Sequence, residues 1–374
     1  MNFELTQEQK QLADSVSKYL INEYSFEKRK AIINSESGVS EAAWQTFADM
    51  GLTAMTLTEA DNGFGGGAID LMAVMEAMGE ALVVEPFLDN VGLAGRLVSR
   101  MGSDAQRAAL LPGLIDGSER LAFAYLEQGH RYQLAPQLTL AKANANAGAW
   151  VLNGRKCLVT GAASARHLLV SALTSQGTSL FIVDTQAAGV ELNPSRTVDG
   201  FRVADVAFSN VSLHADALLG DDGAAMPFIE EATDFATALL CAEAVGAMKS
   251  ANDATLDYMK QRKQFGVPIA SFQALQHRMV EMYITTEQAR SMAILAASKV
   301  DDKTNASGRA RAVSAAKIKI ADAARLISQE SVQLHGGMGM TEELKVSHTF
   351  RRLTMIAQQF GDADHHLERY ADLT

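Results

Sequence analysis

The chain has little of what marks several large classes of protein. It has six prolines and two cysteines in 374 residues, and no apolar run approaches the length that crosses a bilayer. The first residues contain neither a basic segment nor an apolar core, so they do not match a secretory signal peptide. Cys157 and Cys241 lie far apart in apolar surroundings, which indicates reduced thiols in a cytoplasmic protein rather than a disulfide framework.

Positive charge is also scarce. The formal net charge is −11, which argues against nucleic acid as a partner. An anionic small molecule is still compatible with this charge, because a few local arginines and lysines can meet its phosphates. With 48% hydrophobic and 21% charged residues, the composition is typical of a compact globular protein with more than one lobe.

The hydrophobic pattern of the first third of the chain is helical. Thr6 and Gln9 match a capping box at the start of a periodic run, and apolar residues recur every three or four positions through 71–82. The glycine-rich stretch 61–67 predicts a loop that connects helices. No strand precedes this loop, so we do not interpret it as a phosphate-binding turn.

The middle of the chain changes to a period of two. Asn153-Gly154 stands between two short apolar runs and is predicted to form a hairpin turn. The helical period then returns and continues to the end. Helices, then a small β lobe, then helices is an α+β order, which argues against a Rossmann fold. We predict an N-terminal helical domain over residues 1–120, a β domain over 121–222 and a helical bundle domain over 223–374.

Two short motifs in the last third are the most informative. Residues 262–266 read RKQFG and supply a guanidinium that can hold phosphate bidentately and an aromatic ring for stacking. Residues 333–340 read QLHGGMGM, with a Gly-Gly step at a helix-to-helix junction, where the backbone can approach a bulky or anionic ligand. Together they resemble the acyl-CoA dehydrogenase family of flavoproteins, and most closely the small subunit of pimeloyl-CoA-type dehydrogenases.

The resemblance covers the whole chain and implies both a fold and an activity. The fold would have an N-terminal helical domain, a β-barrel-like middle domain and a C-terminal four-helix bundle, with FAD between the last two. The activity would be α,β-dehydrogenation of an acyl-CoA substrate, with an electron-transferring flavoprotein as acceptor. Because the FAD of this family reaches a neighbouring subunit, a homo-oligomer is expected, or a hetero-oligomer with a larger acyl-CoA dehydrogenase subunit.

The resemblance also implies which residues bind FAD. Those expected to meet the FAD of a neighbouring subunit are Arg262, Phe265, Gln273, Gln333, Gly336 and Gly337. Those expected near the flavin ring are Phe123, Tyr125, Leu126 and Thr160. The family carries a threonine where this chain has Leu126 and a tryptophan where it has Leu158. The surroundings of the flavin ring are therefore predicted to be less polar than usual.

The catalytic base is where the chain departs from the family. Removing the proton next to the thioester requires a carboxylate. The family places it at the position of Phe360 or, in a minority, at that of Ala236, so only the backbone N–H of Phe360 is left there to polarise a thioester carbonyl. Glu243, in an apolar helical run, and Asp362 are the remaining candidates. Each has a structural alternative, an amide or arginine partner for Glu243 and a helix N-cap for Asp362.

Three functions remain open from the sequence. The chain is a dehydrogenase subunit, with a sister chain supplying the glutamate or with Glu243 as the base. Alternatively, it is a catalytically silent partner that keeps only an FAD half-site. Or it is a flavin monooxygenase or oxidase of the same fold, although the aspartate base of nitroalkane oxidases would stand where Phe360 does. No metal site is predicted, because His365 and His366, adjacent on a helix, point about 100° apart.

Overall fold

The computed structural model describes residues 6–144 and 149–373. The chain forms two compact units, one from residues up to 31, 67–83 and 237–374, the other from 32–66 and 84–236. The α-helices are α1 (Gln7–Glu23), α2 (Phe26–Asn34), α3 (Glu41–Asp49), α4 (Ala68–Ala81), α5 (Arg96–Met101), α6 (Asp104–Ile115), α7 (Met226–Gln261), α8 (Gln273–Val300), α9 (Ala306–His335), α10 (Lys345–Gln358) and α11 (Ala363–Asp372). None of the described helices is long and apolar enough to span a bilayer.

The strands follow α6 and precede α7, apart from one small hairpin. They are β1 (Leu121–Ala124), β2 (Leu140–Asn144), β3 (Ala149–Thr160), β4 (His167–Leu173), β5 (Thr178–Asp184), β6 (Val190–Arg196), β7 (Arg202–Leu213), β8 (Leu218–Leu219), β9 (Lys263–Gln264) and β10 (Val267–Pro268). Helices therefore flank a run of strands along the chain, and the predicted α+β class is confirmed.

The start of the first helix follows from its sequence. Thr6 Oγ1 accepts a hydrogen bond from Gln9 N at 3.2 Å, and Gln9 Oε1 accepts one from Thr6 N at 2.8 Å. Two of the N–H groups that a helix start leaves without partners are thereby satisfied. The predicted capping box is confirmed, and so is the predicted amphipathic helix, which is α4.

Helices α4 and α7 pack closely within the first unit. A Cβ atom at Gly79 would overlap the backbone of Glu243, and one at Gly246 would overlap the backbone of Glu76. The two glycines thus lie where the two helix backbones cross, and each gives room to the other helix. This crossing fixes the place of Glu243 along α7.

Gly246→Ala tests this crossing. We expect the variant to lower the free energy of unfolding by about 1–3 kcal/mol, because an added methyl group overpacks a filled interface. Gly337→Ala is a matched control, since a Cβ there meets no atom within 4 Å, and we expect it to stay within about 0.5 kcal/mol of the parent. Urea titration of both variants measures the difference, and equal stabilities would contradict the close packing.

The second unit is built around an eight-stranded sheet. Seven strands follow the order β6-β7-β3-β2-β4-β5-β8, and β1 pairs with β4 in parallel. One face of the sheet is apolar, and its buried side chains include Leu152, Leu168, Phe181, Val206 and Phe208. Trp150 packs on this cluster, with its ring 5.2 Å from that of Phe181. The apolar cluster on the sheet therefore comes from inward-facing residues of neighbouring strands, as the period of two predicts.

The hairpin turn predicted at Asn153-Gly154 is wrong. Both residues lie inside β3, which continues along β7 with a register shift between Leu152 and Gly154. Gly154 approaches Thr139 so closely that a Cβ would lie 2.5 Å from the Thr139 Cα. Asn153 Oδ1 accepts from Asn210 N at 2.8 Å on β7. The Asn-Gly pair therefore lies at a bulge and at a close backbone approach. A glycine inside a strand often occurs at such a place.

Candidate functional site

The RKQFG motif forms a tight hairpin at the end of α7. Strands β9 and β10 pair antiparallel, and Ile269 N donates to Arg262 O at 2.8 Å. The two turn residues, Phe265 and Gly266, have φ values of 53° and 82°, as a primed two-residue turn requires. Phe265 sits at the tip and is 92% exposed. The hairpin therefore presents an aromatic ring to the outside, close to the exposed Arg262.

The Gly-Gly step lies at the end of α9. Gly336 has φ 61° and ψ −144°, a conformation essentially restricted to glycine. A Cβ atom at Gly336 or Gly337 would meet nothing within 4 Å, so open space faces this backbone. Gln333, one turn earlier on α9, is exposed. The end of α9 thus offers bare backbone and an amide side chain.

The structure brings the two motifs together. The ring of Tyr258, near the end of α7, stacks on His335 with centroids 4.4 Å apart. Tyr258 O accepts from Arg262 N at 2.8 Å, and His335 directly precedes Gly336. Gln273 opens α8 after Phe272, whose ring lies 6.3 Å from that of Phe265. The six residues predicted to meet a neighbour's FAD all belong to this unit, and all six are exposed.

The four residues predicted near the flavin ring lie in the other unit. Phe123 is a buried core residue of β1 and stacks on Tyr125 at 5.0 Å, so only its backbone is left to offer a ligand. The carbonyls of Tyr125 and Leu126 accept hydrogen bonds from Lys156 Nζ at 3.1 Å and Cys157 N at 2.9 Å. Main-chain N–H groups are therefore what this segment can give to a ligand. Thr160 ends β3 and pairs with Val203.

Sequence reasoning missed a buried ion pair beside this segment. Glu127 accepts hydrogen bonds from three successive N–H groups, those of residues 137–139, and from Lys156 Nζ at 2.9 Å. Burial opposes its charge, but Lys156 and the N–H donors outweigh burial and lower the pKa of Glu127 to about 2. The alternating pattern of β3 contained a signal, because Lys156 lies on its inward face. This pair anchors the backbone of Tyr125.

Neither family position for the catalytic base carries a titratable side chain. Ala236 is fully buried in α7, and Phe360 is half-buried just after α10. Phe360 has φ 59°, and no acceptor for its N–H lies among the residues that the structure describes. At this position the chain therefore has a backbone donor and no proton-accepting side chain.

Glu243 is held by an arginine. Its two carboxylate oxygens accept from Arg352 Nε at 2.6 Å and from another guanidinium nitrogen of Arg352 at 2.9 Å, and both side chains are buried. This bidentate geometry is the strongest that the two groups form. Of the two readings open from the sequence, the structure favours the structural one for Glu243.

Asp362 begins the last helix. Its Oδ1 accepts from His365 N at 2.9 Å, which makes Asp362 the N-cap of α11. The rings of His365 and His366 are nearly perpendicular, at 81°. No group of metal-binding side chains occurs among the described residues. For Asp362, the geometry therefore favours the structural role of a helix N-cap.

Three of the sequence-derived positions share a strained backbone. Leu158, Phe265 and Phe360 have φ values of 51°, 53° and 59°. A left-handed conformation costs a residue with a Cβ about 1–2 kcal/mol. Such strain persists only where the surroundings impose it, and it clusters at functional sites. Leu158, at the family's tryptophan position, is also 53% exposed on a bulge of β3.

Known proteins resemble the chain along its whole length. Residues 6–118, 122–211 and 226–372 match the N-terminal, middle and C-terminal domains of acyl-CoA dehydrogenases. Acyl-CoA dehydrogenase FadE12 of Mycobacterium tuberculosis is 30% identical over 94% of this chain and 92% of its own length. The structure of a Tcur3481-Tcur3483 steroid ACAD variant is 28% identical, covers 98% of this chain and 97% of its own, and has a TM-score of 0.88. The ChsE4-ChsE5 complex from Mycobacterium tuberculosis is 23% identical over 100% of this chain and 98% of its own, with a TM-score of 0.90.

Proposed function

The chain belongs to the acyl-CoA dehydrogenase family, and we propose that it binds FAD and works as one subunit of an oligomeric acyl-CoA dehydrogenase. One observation carries the proposal. Arg262, Phe265 and the Gly336-Gly337 step lie in one helical unit, joined through the Tyr258–His335 stack, and all face open surroundings. A guanidinium, a bare aromatic ring and a backbone without Cβ atoms fit a dinucleotide with a pyrophosphate and an adenine ring.

Each residue has a definite part in this binding. Arg262 would neutralise the pyrophosphate of the FAD that a neighbouring subunit holds, and Phe265 would pack against its adenosine side. Gln273 and Gln333 would donate hydrogen bonds to the same end of the molecule. Thr160 and the N–H groups near Leu126 would meet the flavin ring. Bound FAD supplies a hydride acceptor for the β-carbon of the thioester, and an electron-transferring flavoprotein would then take the electrons.

The absence of a base at Phe360 and Ala236 supports a shared active site. Two of the similar structures are named for pairs of proteins, Tcur3481-Tcur3483 and ChsE4-ChsE5. A larger sister subunit would supply the carboxylate, and this chain would complete the FAD site. A subunit with no catalysis of its own is the limiting case of this proposal. The proposal also includes the division of the chain into three domains, over residues 1–120, 121–222 and 223–374.

Arg262→Ala is expected to weaken FAD binding by about 1.5–3 kcal/mol, the contribution of a hydrogen bond to a charged group. The flavin retained after gel filtration, compared with that of the parent, measures the effect. Arg166→Ala removes an exposed arginine outside the proposed set and is expected to retain the parent's flavin. Equal retention in Arg262→Ala and Arg166→Ala would remove Arg262 from the site.

The protein is expected to be at least a dimer, alone or with a sister chain. The reason is that Phe265, at the hairpin tip, and Arg262, where the hairpin begins, are both exposed and are assigned to a cofactor that another subunit holds. Light scattering of the FAD-loaded protein measures the mass directly. A species of only 40.1 kDa, the mass of one chain, would contradict the assignment of these residues to a neighbour's FAD.

A further inference from the structure

The turn that carries Phe360 is held by a buried lysine. Lys317 lies on α9, its side chain is 0% exposed, and its Nζ donates to Gly361 O at 2.6 Å and to Ala357 O at 3.3 Å. Among the described residues no carboxylate forms an ion pair with it. A buried charged lysine without an ion-pair partner is costly, and the charge of nearby Asp362 offsets only part of this cost, because the pKa of Lys317 is still lowered by burial. Its burial excludes direct contact with a substrate.

The two carbonyls that accept from Lys317 show where its charge is stabilised. The last carbonyls of α10 have no partner within the helix, and they form the negative end of its dipole. Lys317 lies at this end and donates to Ala357 O of α10 and to Gly361 O of the turn that follows. Burial lowers the pKa of Lys317 to about 8. The amine donates hydrogen bonds in both its charged and its neutral form.

A histidine binds a further carbonyl of the turn, that of Phe360. His366 Nε2 lies 3.2 Å from Phe360 O, and its Nδ1 lies 3.2 Å from Ser314 Oγ. Because a carbonyl oxygen only accepts, Nε2 carries the hydrogen and Nδ1 accepts from the Ser314 hydroxyl. Burial, with the charge of nearby Lys317, lowers the pKa of His366 to about 2, so the ring stays neutral.

We propose that Lys317 and His366, the latter oriented by Ser314, are positioning residues that lock the turn at Phe360. They bind its carbonyls, impose its left-handed backbone and keep the Phe360 N–H as a donor for the carbonyl oxygen of an acyl thioester. The inference rests on the proposed function, because the proposed function supplies the acyl thioester to which the Phe360 N–H would donate. It adds residues that touch neither substrate nor FAD.

Acetoacetyl-CoA is the probe, because this thioester ionises to an enolate without a protein base. A donor at its thioester oxygen stabilises the enolate and lowers the apparent pKa of the bound ligand. In the FAD-loaded full chain we expect Lys317→Met to reduce the acidity constant of bound acetoacetyl-CoA about tenfold, the size of one hydrogen bond. Ser314→Ala, the milder change, is expected to shift it in the same direction by less.

Lys319→Met is the matched control. Lys319 lies two residues along the same helix and donates to Gln288 on α8 instead. The enolate absorbance of the bound ligand, titrated against pH, is expected to be the same in this variant and the parent. A Lys317→Met protein that folds, binds the probe and matches Lys319→Met would overturn the inference. If Lys317→Met does not fold, an unchanged Ser314→Ala overturns it instead.

The FAD content separates this inference from the proposed function. A parent chain without FAD counts against the proposed function, while the enolate absorbance of bound acetoacetyl-CoA still tests the turn. A parent chain that carries FAD but leaves acetoacetyl-CoA unbound overturns the positioning role and spares FAD binding.

Discussion

Replacing Phe360 with glutamate is expected to raise the rate at which an acyl-CoA thioester reduces the bound flavin by about 10²–10⁴-fold, the usual contribution of a general base. The parent chain is expected to react slowly or not at all, because neither Phe360 nor Ala236 accepts a proton. A carboxylate at position 360 would be half-buried, and burial raises the pKa of such a group towards the range in which a base works at neutral pH.

The backbone at position 360 is suited to the exchange. Phe360 already has φ 59°, and glutamate, which also carries a Cβ, meets the same strain there. The hydrogen bonds from Lys317 and His366 go to carbonyl oxygens of the turn, so they do not depend on the side chain at 360. The new carboxylate should therefore appear on an unchanged turn.

Phe360→Gln is the matched control for this experiment. Glutamine has the shape of glutamate but does not take up a proton, so the difference between the two variants isolates proton abstraction. Stopped-flow absorbance with a series of saturated acyl-CoA thioesters measures flavin reduction in both. If Phe360→Glu is no faster than Phe360→Gln at equal FAD content, position 360 is not where the base acts.

The sequence predicted those parts of the fold that depend on neighbouring residues. The capping box needed only Thr6 and Gln9, and the apolar periodicity through residues 71–82 corresponds to α4 and its C-cap. The order of helices and strands followed from a change of period, which reports which face of each element is buried. Local patterns and the tertiary structure agree in these elements.

Contacts between residues that are far apart along the chain could not be predicted from local sequence patterns. An Asn-Gly pair favours a turn locally, but Gly154 serves a close approach to Thr139, which no local pattern reveals. The acid at Glu243 in an apolar run indicated a partner, yet that partner stands 109 residues further on. Lys317 gave a similar signal, a charge on a buried helix face. A charged residue in an apolar run indicates that its side chain has a partner. Only the folded structure identifies that partner.

Glu243→Gln is expected to lower the free energy of unfolding by about 3–5 kcal/mol, because it removes the carboxylate from a buried arginine. The pair joins α7 to α10 within the first unit, at the crossing with α4. Glu342→Gln is a matched control, since Glu342 forms a bidentate pair with Arg351 at 2.9 Å, one residue before Arg352, and is exposed. Loss of an exposed pair costs only about 0–1 kcal/mol.

The double variant Glu243→Leu with Arg352→Met separates a structural role from catalysis. Replacing both partners of a buried ion pair by apolar residues is often neutral or stabilising, so we expect stability to return towards that of the parent. When the double variant is combined with Phe360→Glu, we expect the same rate of flavin reduction per bound FAD as in Phe360→Glu alone. Glu243 would instead be the base if Glu243→Gln abolished a measurable parental rate while folding and FAD content stayed unchanged. Rapid parental turnover that survives Glu243→Gln would contradict both the assignment of Glu243 as the base and the expectation of a slow parent, because the reaction would then need neither this carboxylate nor one at position 360.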